Sequence, residues 1–436
     1  MVLLEFHLNS LKLLYLLFLP FMNMFNDSLT LYMKFLNSII NHGSVPDYHP
    51  LLVTLTVCLG EIFCIVIEFI KRKVSKKNKL SLKEATLLKK SNEEESEEEH
   101  NQKKKMKVQT QDILIIVFIA IIDFVVVSFL LIGKTKNIFE MSMIMKLSQI
   151  ICLGILSQYF LSISLYRHHI ISLCVIGLGL IGNFLLTICF SIGRKEKTST
   201  YILNIFLLFG LFFLNSIKYI AEKYLIDKRY YSPYLIIFFN GCIGILLTLI
   251  TQGIVIFQKC EMEEVTYFCQ MTQDKSKIID NLFEGFLDYI NDSSQHIYLL
   301  FLLFVFFCSI AINCFTGIII QDFNPTYLGI GDSLGLMLVW IGINIFYYKS
   351  GLSKSPSELF IVTLIGTIIF GLVILSCLIF TELIILDCFG LKYYTKREII
   401  RRAEDEIGRT NGILNMSEID QDDKNNEVEI EEENNY

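Results

Sequence analysis

Apolar residues run through this chain in blocks of about 20, with most charged residues swept into the intervals between them. A block of that length crosses a hydrocarbon core as an α-helix rising about 1.5 Å per residue. Nine blocks are sharply bounded: Leu51–Ile70, Ile113–Ile132, Ile138–Ile163, Ile170–Ile192, Tyr201–Leu225, Leu235–Phe257, Ile297–Ile320, Thr326–Tyr348 and Leu359–Phe380. An earlier block, Leu8–Leu36, is interrupted by Pro20 and by Asn26-Asp27, so it predicts the least regular span. A signal peptide is the weaker reading of this block: no Lys or Arg precedes Lys12, and no small-residue cleavage site follows. β-Barrel spans would be about 10 residues long with alternating polarity, and these blocks show neither feature. The expected fold is therefore all-α, a polytopic membrane protein with about ten transmembrane helices.

Composition points the same way. Of 436 residues, 53% are hydrophobic, 13% are aromatic and only 19% are charged. The mean hydropathy is +0.52. A soluble domain keeps about a quarter of its residues charged. The net charge of -6 says little about partners, because acidic and basic residues are segregated along the chain. No basic face on a folded domain suggests nucleic-acid binding.

The charged intervals predict orientation. The interval 71–111 opens Lys71-Arg72-Lys73 and closes Lys103-Lys104-Lys105-Met106-Lys107, the strongest basic flank in the chain, which places it in the cytoplasm. With ten spans both termini are then cytoplasmic, in agreement with Lys392, Lys396, Arg397, Arg401 and Arg402 after the last block. Lys134, Lys136, Arg194, Lys195 and Lys197 fall on the opposite side and run against the rule. Residues 91–107 and 403–436 are too polar to bury a core and read as solvated segments. The interval 258–296 faces the lumen or exterior. There Cys260 and Cys269 can pair as a disulfide, and Asn291, in Asn291-Asp292-Ser293, is a candidate for glycosylation.

Two long intervals occupy equivalent places. One joins spans two and three, and the other joins spans seven and eight. Five helices per half force opposite orientations, so equivalent loops face opposite sides, as in inverted-repeat transporters. The expected organisation is a first repeat over 1–192 with its charged loop 71–111, a second over 193–388 with its lumenal loop 258–296, and an acidic cytoplasmic tail over 389–436.

Ionisable groups inside a membrane need a reason to be there. Glu61 and Asp123 lie near mid-span, and Lys146 and Asp332 about a third of the way in. With Asn313 they are the candidates to line a central solute site. Lys146 against Glu61 or Asp123 is the expected ion pair, with Glu61 or Asp123 otherwise free to carry a coupling proton. Lys34, Glu222 and Lys223 lie nearer predicted helix ends, where long side chains snorkel to the interface, and are secondary candidates. Gly331 and Gly335, Gly177, Gly179 and Gly182, and Gly241 and Gly244 suit close helix packing. His168-His169 have no carboxylate or Cys at metal-ligand spacing along the chain, so they read as interfacial polar residues and no metal site is expected. No phosphate loop, GxSxG elbow or HExxH is present, which argues against an enzyme.

Several strings are informative together. His49-Pro50, Leu59-Gly60-Glu61 and Cys64 resemble the "HP…LGE…C" helix of the solute carrier family 35, F subgroup, a branch of the drug/metabolite transporter superfamily (EamA-like). Asp123, Met145-Lys146, Tyr166-Arg167-His168-His169, Glu222-Lys223, Ser309-Ile310-Ala311 with Gly317, and Asp332-Ser333-Leu334 with Trp340 follow in that family's order. The likeness touches residues 25–380. It departs where Lys146 replaces an Arg, which removes a bidentate grip on an anion, where Gly335 replaces a second Arg, and where Leu29 replaces an Asn. The resemblance implies ten helices in two inverted halves and alternating access. It also implies an endomembrane location (lysosome, vacuole or Golgi) and a small organic solute, with the chain nucleotide-sugar- or metabolite-transporter-like. The alternative is a non-transporting interaction or scaffold protein built on the same fold. The expected partners are a small-molecule solute and the lipid bilayer, with a homodimer as a candidate assembly; no cofactor is expected.

Overall fold

The computed structural model describes residues 49–87, 110–135, 139–191, 198–256, 281–291, 296–335 and 356–382, with a few shorter pieces. The helices are α1 (Pro50–Leu87), α2 (Thr110–Thr135), α3 (Phe139–Leu161), α4 (Arg167–Ser191), α5 (Thr198–Arg229), α6 (Pro233–Val255), α7 (Leu282–Asn291), α8 (His296–Asp322), α9 (325–335) and α10 (Pro356–Phe380). Among the described residues the remaining regular structure is an antiparallel β pair, Gln270–Met271 with Lys277–Ile278.

Proline starts helices here and does not break them. Pro50, Pro233, Pro325 and Pro356 each open one. At the first helical position the missing N–H would have had no intrahelical partner anyway. Asn324 caps α9, its Oδ1 accepting the Thr326 N–H at 3.2 Å and the Thr326 hydroxyl at 3.1 Å. Left-handed residues end three helices: Ser162 (φ 55°) after α3, Tyr230 (φ 58°) after α5 and Glu382 (φ 59°) after α10. The chain then folds back over the last carbonyls, with Ile163 N–H donating to Ser157 O at 3.3 Å and Tyr231 N–H to Leu225 O at 3.2 Å.

Six helical stretches are long and apolar enough to span a membrane, as in an integral membrane protein: Pro50–Val74, Thr110–Leu130, Arg167–Leu186, Ile205–Arg229, Pro233–Val255 and His296–Asp322. Met145–Leu161 and Leu364–Phe380 are shorter apolar pieces of the same kind. Large apolar side chains such as Phe118, Leu178, Phe206, Leu246 and Phe307 point outward, the arrangement of a helix bundle whose solvent is lipid.

Lipid tails are as apolar as leucine, so close backbone approach and internal polar contacts hold such helices together. α1 is central, packing on α2, α6 and α8. Gly241 and Gly244 let α6 approach it: a Cβ would stand 2.7 Å from Cys58 O at the first and 2.6 Å from Cys58 Sγ at the second. Ser309 Oγ ties α8 to α1 through Val57 O at 3.0 Å. α3 packs on α4 and α5, and α4 on α10, where a Cβ at Gly179 would meet Val373 at 2.5 Å. The packing role expected of these glycines is therefore met.

Two intervals differ from expectation. α1 does not stop at Ile70 but continues to Leu87, so the first 17 residues of the predicted 71–111 loop are helical. The segment holds Lys, Arg, Glu, Leu and Ala and lacks Gly and Pro, so propagation past the apolar block meets no breaker. The predicted 258–296 loop contains the β pair and α7. Leu282 of α7 is buried with Leu51, Tyr298 and Phe301, and Gln252 Oε1 accepts its N–H at 3.1 Å. Phe283, Phe286, Leu287 and Ile290 form an exposed stripe along the rest of α7 at amphipathic helical spacing. Asn291 is the last residue of this helix, and α8 opens at His296. Lys34, Cys260, Cys269, most of Leu8–Leu36, residues 336–348 apart from 342, residues 91–107 and nearly all of the 389–436 tail lie outside the described residues.

Candidate functional site

Four helices bring charge to one buried place. α1 supplies Glu61, α2 Asp123, and α5 both Lys218 and Glu222, one turn apart. All four are at most 8% exposed. Asp123 is bound directly by the Lys218 ammonium. Glu222 Oε1 lies 4.0 Å from the same Lys218 Nζ and accepts a hydrogen bond from Asn240 Nδ2 of α6 at 3.3 Å. Glu61 is buried on the face of α1 that packs against Gly241 of α6, next to Asn240. Asp123 and Glu222 therefore share one cation, with the buried carboxyl of Glu61 on the adjoining helix.

A second polar place lies beside it. Lys146 Nζ of α3 stands 3.8 Å from Asp332 Oδ2 of α9, and Ser333 Oγ donates to Lys146 O at 3.5 Å. Gln149, one turn on from Lys146, is fully buried, with neither end of its amide hydrogen-bonded. Tyr219 joins the two places. Its ring is 5.2 Å from Lys218 Nζ, and it packs in one buried cluster with Leu153 of α3 and Leu328 of α9.

The expected partnership is thus corrected. Lys146 pairs with Asp332 and not with Glu61 or Asp123, because Asp123 is already taken by Lys218. Glu222 does not snorkel: α5 runs past Leu225 to Arg229, which keeps its carboxyl inside the bundle, whereas Lys223 reaches the rim. Lys223 Nζ donates to Ile320 O at 2.8 Å and Gln321 O at 3.1 Å, neutralising the C-terminal end of α8. Asn313 donates to Ser309 Oγ at 3.2 Å and so supports the α1–α8 contact next to the charges.

Lys218 escapes a reading based on long apolar blocks, since it sits inside one. Its signal is the spacing Lys218…Glu222, one helical turn, which makes a pair on a single face. Gln149 carries no charge and leaves no comparable mark.

A rim of matched polar pairs closes one end of the bundle. Arg72 Nε is 2.6 Å from Glu68 Oε1, and Ser232 Oγ also donates to Glu68. Arg229 Nε is 3.3 Å from Asp112 Oδ1, Lys223 Nζ is 3.2 Å from Asp227 Oδ1, and Lys71 Nζ donates to Gln321 Oε1 at 3.1 Å.

The histidine pair gains a partner invisible in local sequence. His168 Nε2 lies 3.2 Å from Glu382 Oε1, brought from the far end of α10. His168, His169 and Glu382 offer ligand atoms within 4.8 Å of one another. His169, however, is already engaged: its Nδ1 accepts the Tyr166 N–H at 3.1 Å, and its ring lies 4.6 Å from the Phe380 ring. The trio acts as a joint between the start of α4 and the end of α10, which corrects the reading of His168-His169 as unpartnered interfacial residues.

No protein-family model matches the chain, and no curated protein matches it. Among solved structures, a crystal structure of a protein whose function is not stated is similar over 86% of this chain and 98% of its own length, with a TM-score of 0.47 at 12% identity. A likeness at that level carries no argument about fold or activity.

Proposed function

We propose that the protein is a secondary transporter of a small organic solute, of the drug/metabolite superfamily type and resembling the solute carrier 35 F subgroup. It would have about ten helices in two inverted halves, the first ending near residue 192. One observation carries the reading: the Asp123–Lys218 and Lys146–Asp332 pairs inside the bundle cross that division, as the Asp112–Arg229 pair at the rim does. Asp123 belongs to the first half and Lys218 to the second; Lys146 belongs to the first and Asp332 to the second. Inverted-repeat transporters hold their solute near the midplane between the repeats, and rock one repeat against the other. Ion pairs across such a boundary can open and re-form as the halves move, whereas pairs within a half would only brace it.

The chemistry suits an anionic or mixed-charge solute. Lys146 can exchange Asp332 for a ligand carboxylate or phosphate, and the unsatisfied Gln149 amide beside it can donate and accept. Burial makes each of these contacts count, since an unpaired polar group in low dielectric is costly. The proposed location is an endomembrane, with the Lys71–Lys73 end of α1 in the cytoplasm.

The test is a thermal-shift screen of the purified full chain against nucleotide sugars, nucleotides, vitamins and amines. A stabilising solute whose shift disappears in Lys146→Ala, followed by its uptake into liposomes, supports the reading. Uptake of that solute left unchanged by Lys146→Ala and Asp332→Ala refutes it.

A further inference from the structure

We propose that α7 (Leu282–Asn291) is a membrane anchor that lies in the bilayer interface on the side opposite the Lys71–Lys73 rim, with its apolar stripe among lipid acyl chains. This placement is independent of the transport reading. Both ends of α7 are tied to spans. Asn281 caps its first turn, Oδ1 accepting the Phe283 N–H at 3.2 Å, and the same Oδ1 accepts Gln252 Nε2 of α6 at 3.4 Å. At the other end, His296 Nε2 in the first residue of α8 donates to Ile290 O at 2.9 Å. α7 therefore crosses from the end of α6 to the start of α8. Leu282 is buried with Leu51 of α1 and with Tyr298 and Phe301 of α8. Gly285 lies so close to the His49 ring that a Cβ there would collide with it.

The rise per residue of the spans sets the depth of α7. From Lys71 at the rim back to Pro50, beside α7, α1 covers about 32 Å. Between Pro233 at the rim and Gln252, α6 covers about 29 Å, and between Gln321 and His296 α8 covers about 38 Å. Three helices thus hold α7 about one hydrocarbon thickness, roughly 30 Å, from the rim charges. There acyl chains give way to headgroups. The faces of α7 fit that depth. Phe283, Phe286, Leu287 and Ile290 are 43–60% exposed and share one side of the helix at i, i+3, i+4 and i+7. Leu282 and Gly285 take the protein side. The register positions left on the third side are Glu284, Asp288 and Asn291, all polar. A helix resting on protein in water needs two faces, one buried and one polar. A third face, apolar and exposed, fits a helix that also meets lipid. Exposed apolar side chains continue onto the spans that α7 joins, at Ile250 and Ile254 of α6 and at Leu300 and Leu303 of α8. The stripe therefore extends the lipid-facing surface of the bundle, and this continuity, with the depth, selects the bilayer over a second copy or a soluble partner.

Depth-dependent fluorescence quenching in vesicles tests the anchor. The chain has a single tryptophan, Trp340. In the full-length Trp340→Phe protein, Phe286→Trp puts one reporter in the stripe, and Phe283→Trp puts a second there in a separate preparation. After reconstitution in phosphatidylcholine vesicles, both reporters are expected to show blue-shifted emission. Lipid brominated high in the acyl chain should quench them more than lipid brominated near the bilayer centre. Stronger quenching by iodide, present on both sides of the membrane, than by either lipid puts the stripe in water and overturns the proposal. Quenching by none of the three means that protein covers the stripe, from a second copy or another segment, and overturns it too. Strongest quenching at the bilayer centre overturns the interfacial position. The unmutated protein gives a reading that needs no variant to fold. Phosphatidylcholine with a photoactivated diazirine high in its acyl chain is expected to cross-link to the peptide holding residues 282–291. Labelling that reaches the spans and spares this peptide overturns the anchor.

Discussion

Two sets of buried and half-buried charges lie one above the other in this bundle, and they are balanced differently. At the rim each acid has its own base: Glu68 with Arg72, Asp112 with Arg229, Asp227 with Lys223. About 10 Å deeper along α1 lies Glu61 and about 16 Å deeper along α2 lies Asp123, and there Asp123 and Glu222 share Lys218. The rim pairs sit at helix ends, and Arg72 and Asp227 are well exposed, so water and partner together settle them. The inner cluster has no such help. A matched rim is what holding helices together requires. An unmatched interior is not needed for that and is unfavourable to keep, which is why the inner cluster, and not the rim, is assigned to function.

The largest expected effect comes from removing the one inner cation. Lys218→Met leaves Asp123 and Glu222 without their counter-charge, and thermal or denaturant unfolding in detergent should show a loss of about 3–5 kcal/mol. Next is the contact that assembles the cluster. Gly241→Leu drives a side chain into the α1 backbone at Cys58 and should cost about 1–3 kcal/mol in the same unfolding measurement.

The following pair of variants sharpens the comparison by sign. Glu222→Gln removes one surplus carboxyl while keeping an acceptor for Asn240, and should leave stability unchanged or raise it by up to about 1 kcal/mol. Glu68→Gln breaks a matched pair and should lower it. The smallest effect is expected for Arg72→Ala, whose side chain is 59% exposed; it should stay within about 1 kcal/mol. If Glu222→Gln and Glu68→Gln shift stability in the same direction and by similar amounts, the distinction between rim and interior is wrong.

The sequence made the spans legible because lipid demands long apolar blocks, and α2, α6 and α8 lie close to where those blocks predict them. Glu61, Asp123, Lys146 and Asp332 were legible for the complementary reason, since each is a charge where none is expected. Their partners were not. Which acid meets Lys146 depends on how α3 and α9 rotate, and nothing local encodes that Asp123 faces Lys218 across 95 positions. Glu382 is further still from His168, and its left-handed backbone is a feature of the end of α10, with no glycine to signal it. The extension of α1 to Leu87 and the existence of α7 were hidden because polar helices and amphipathic interfacial ones leave no block of apolar residues to find.

The most direct test of the central assignment is solute exchange by the full chain in liposomes, using a solute selected by thermal shift. Exchange should fall by about tenfold or more in Asp123→Asn and in Lys146→Ala, each of which breaks an inner ion pair, and stay near the unmutated rate in Arg72→Ala. Exchange that survives in both inner variants, or falls equally in the rim variant, would contradict the account.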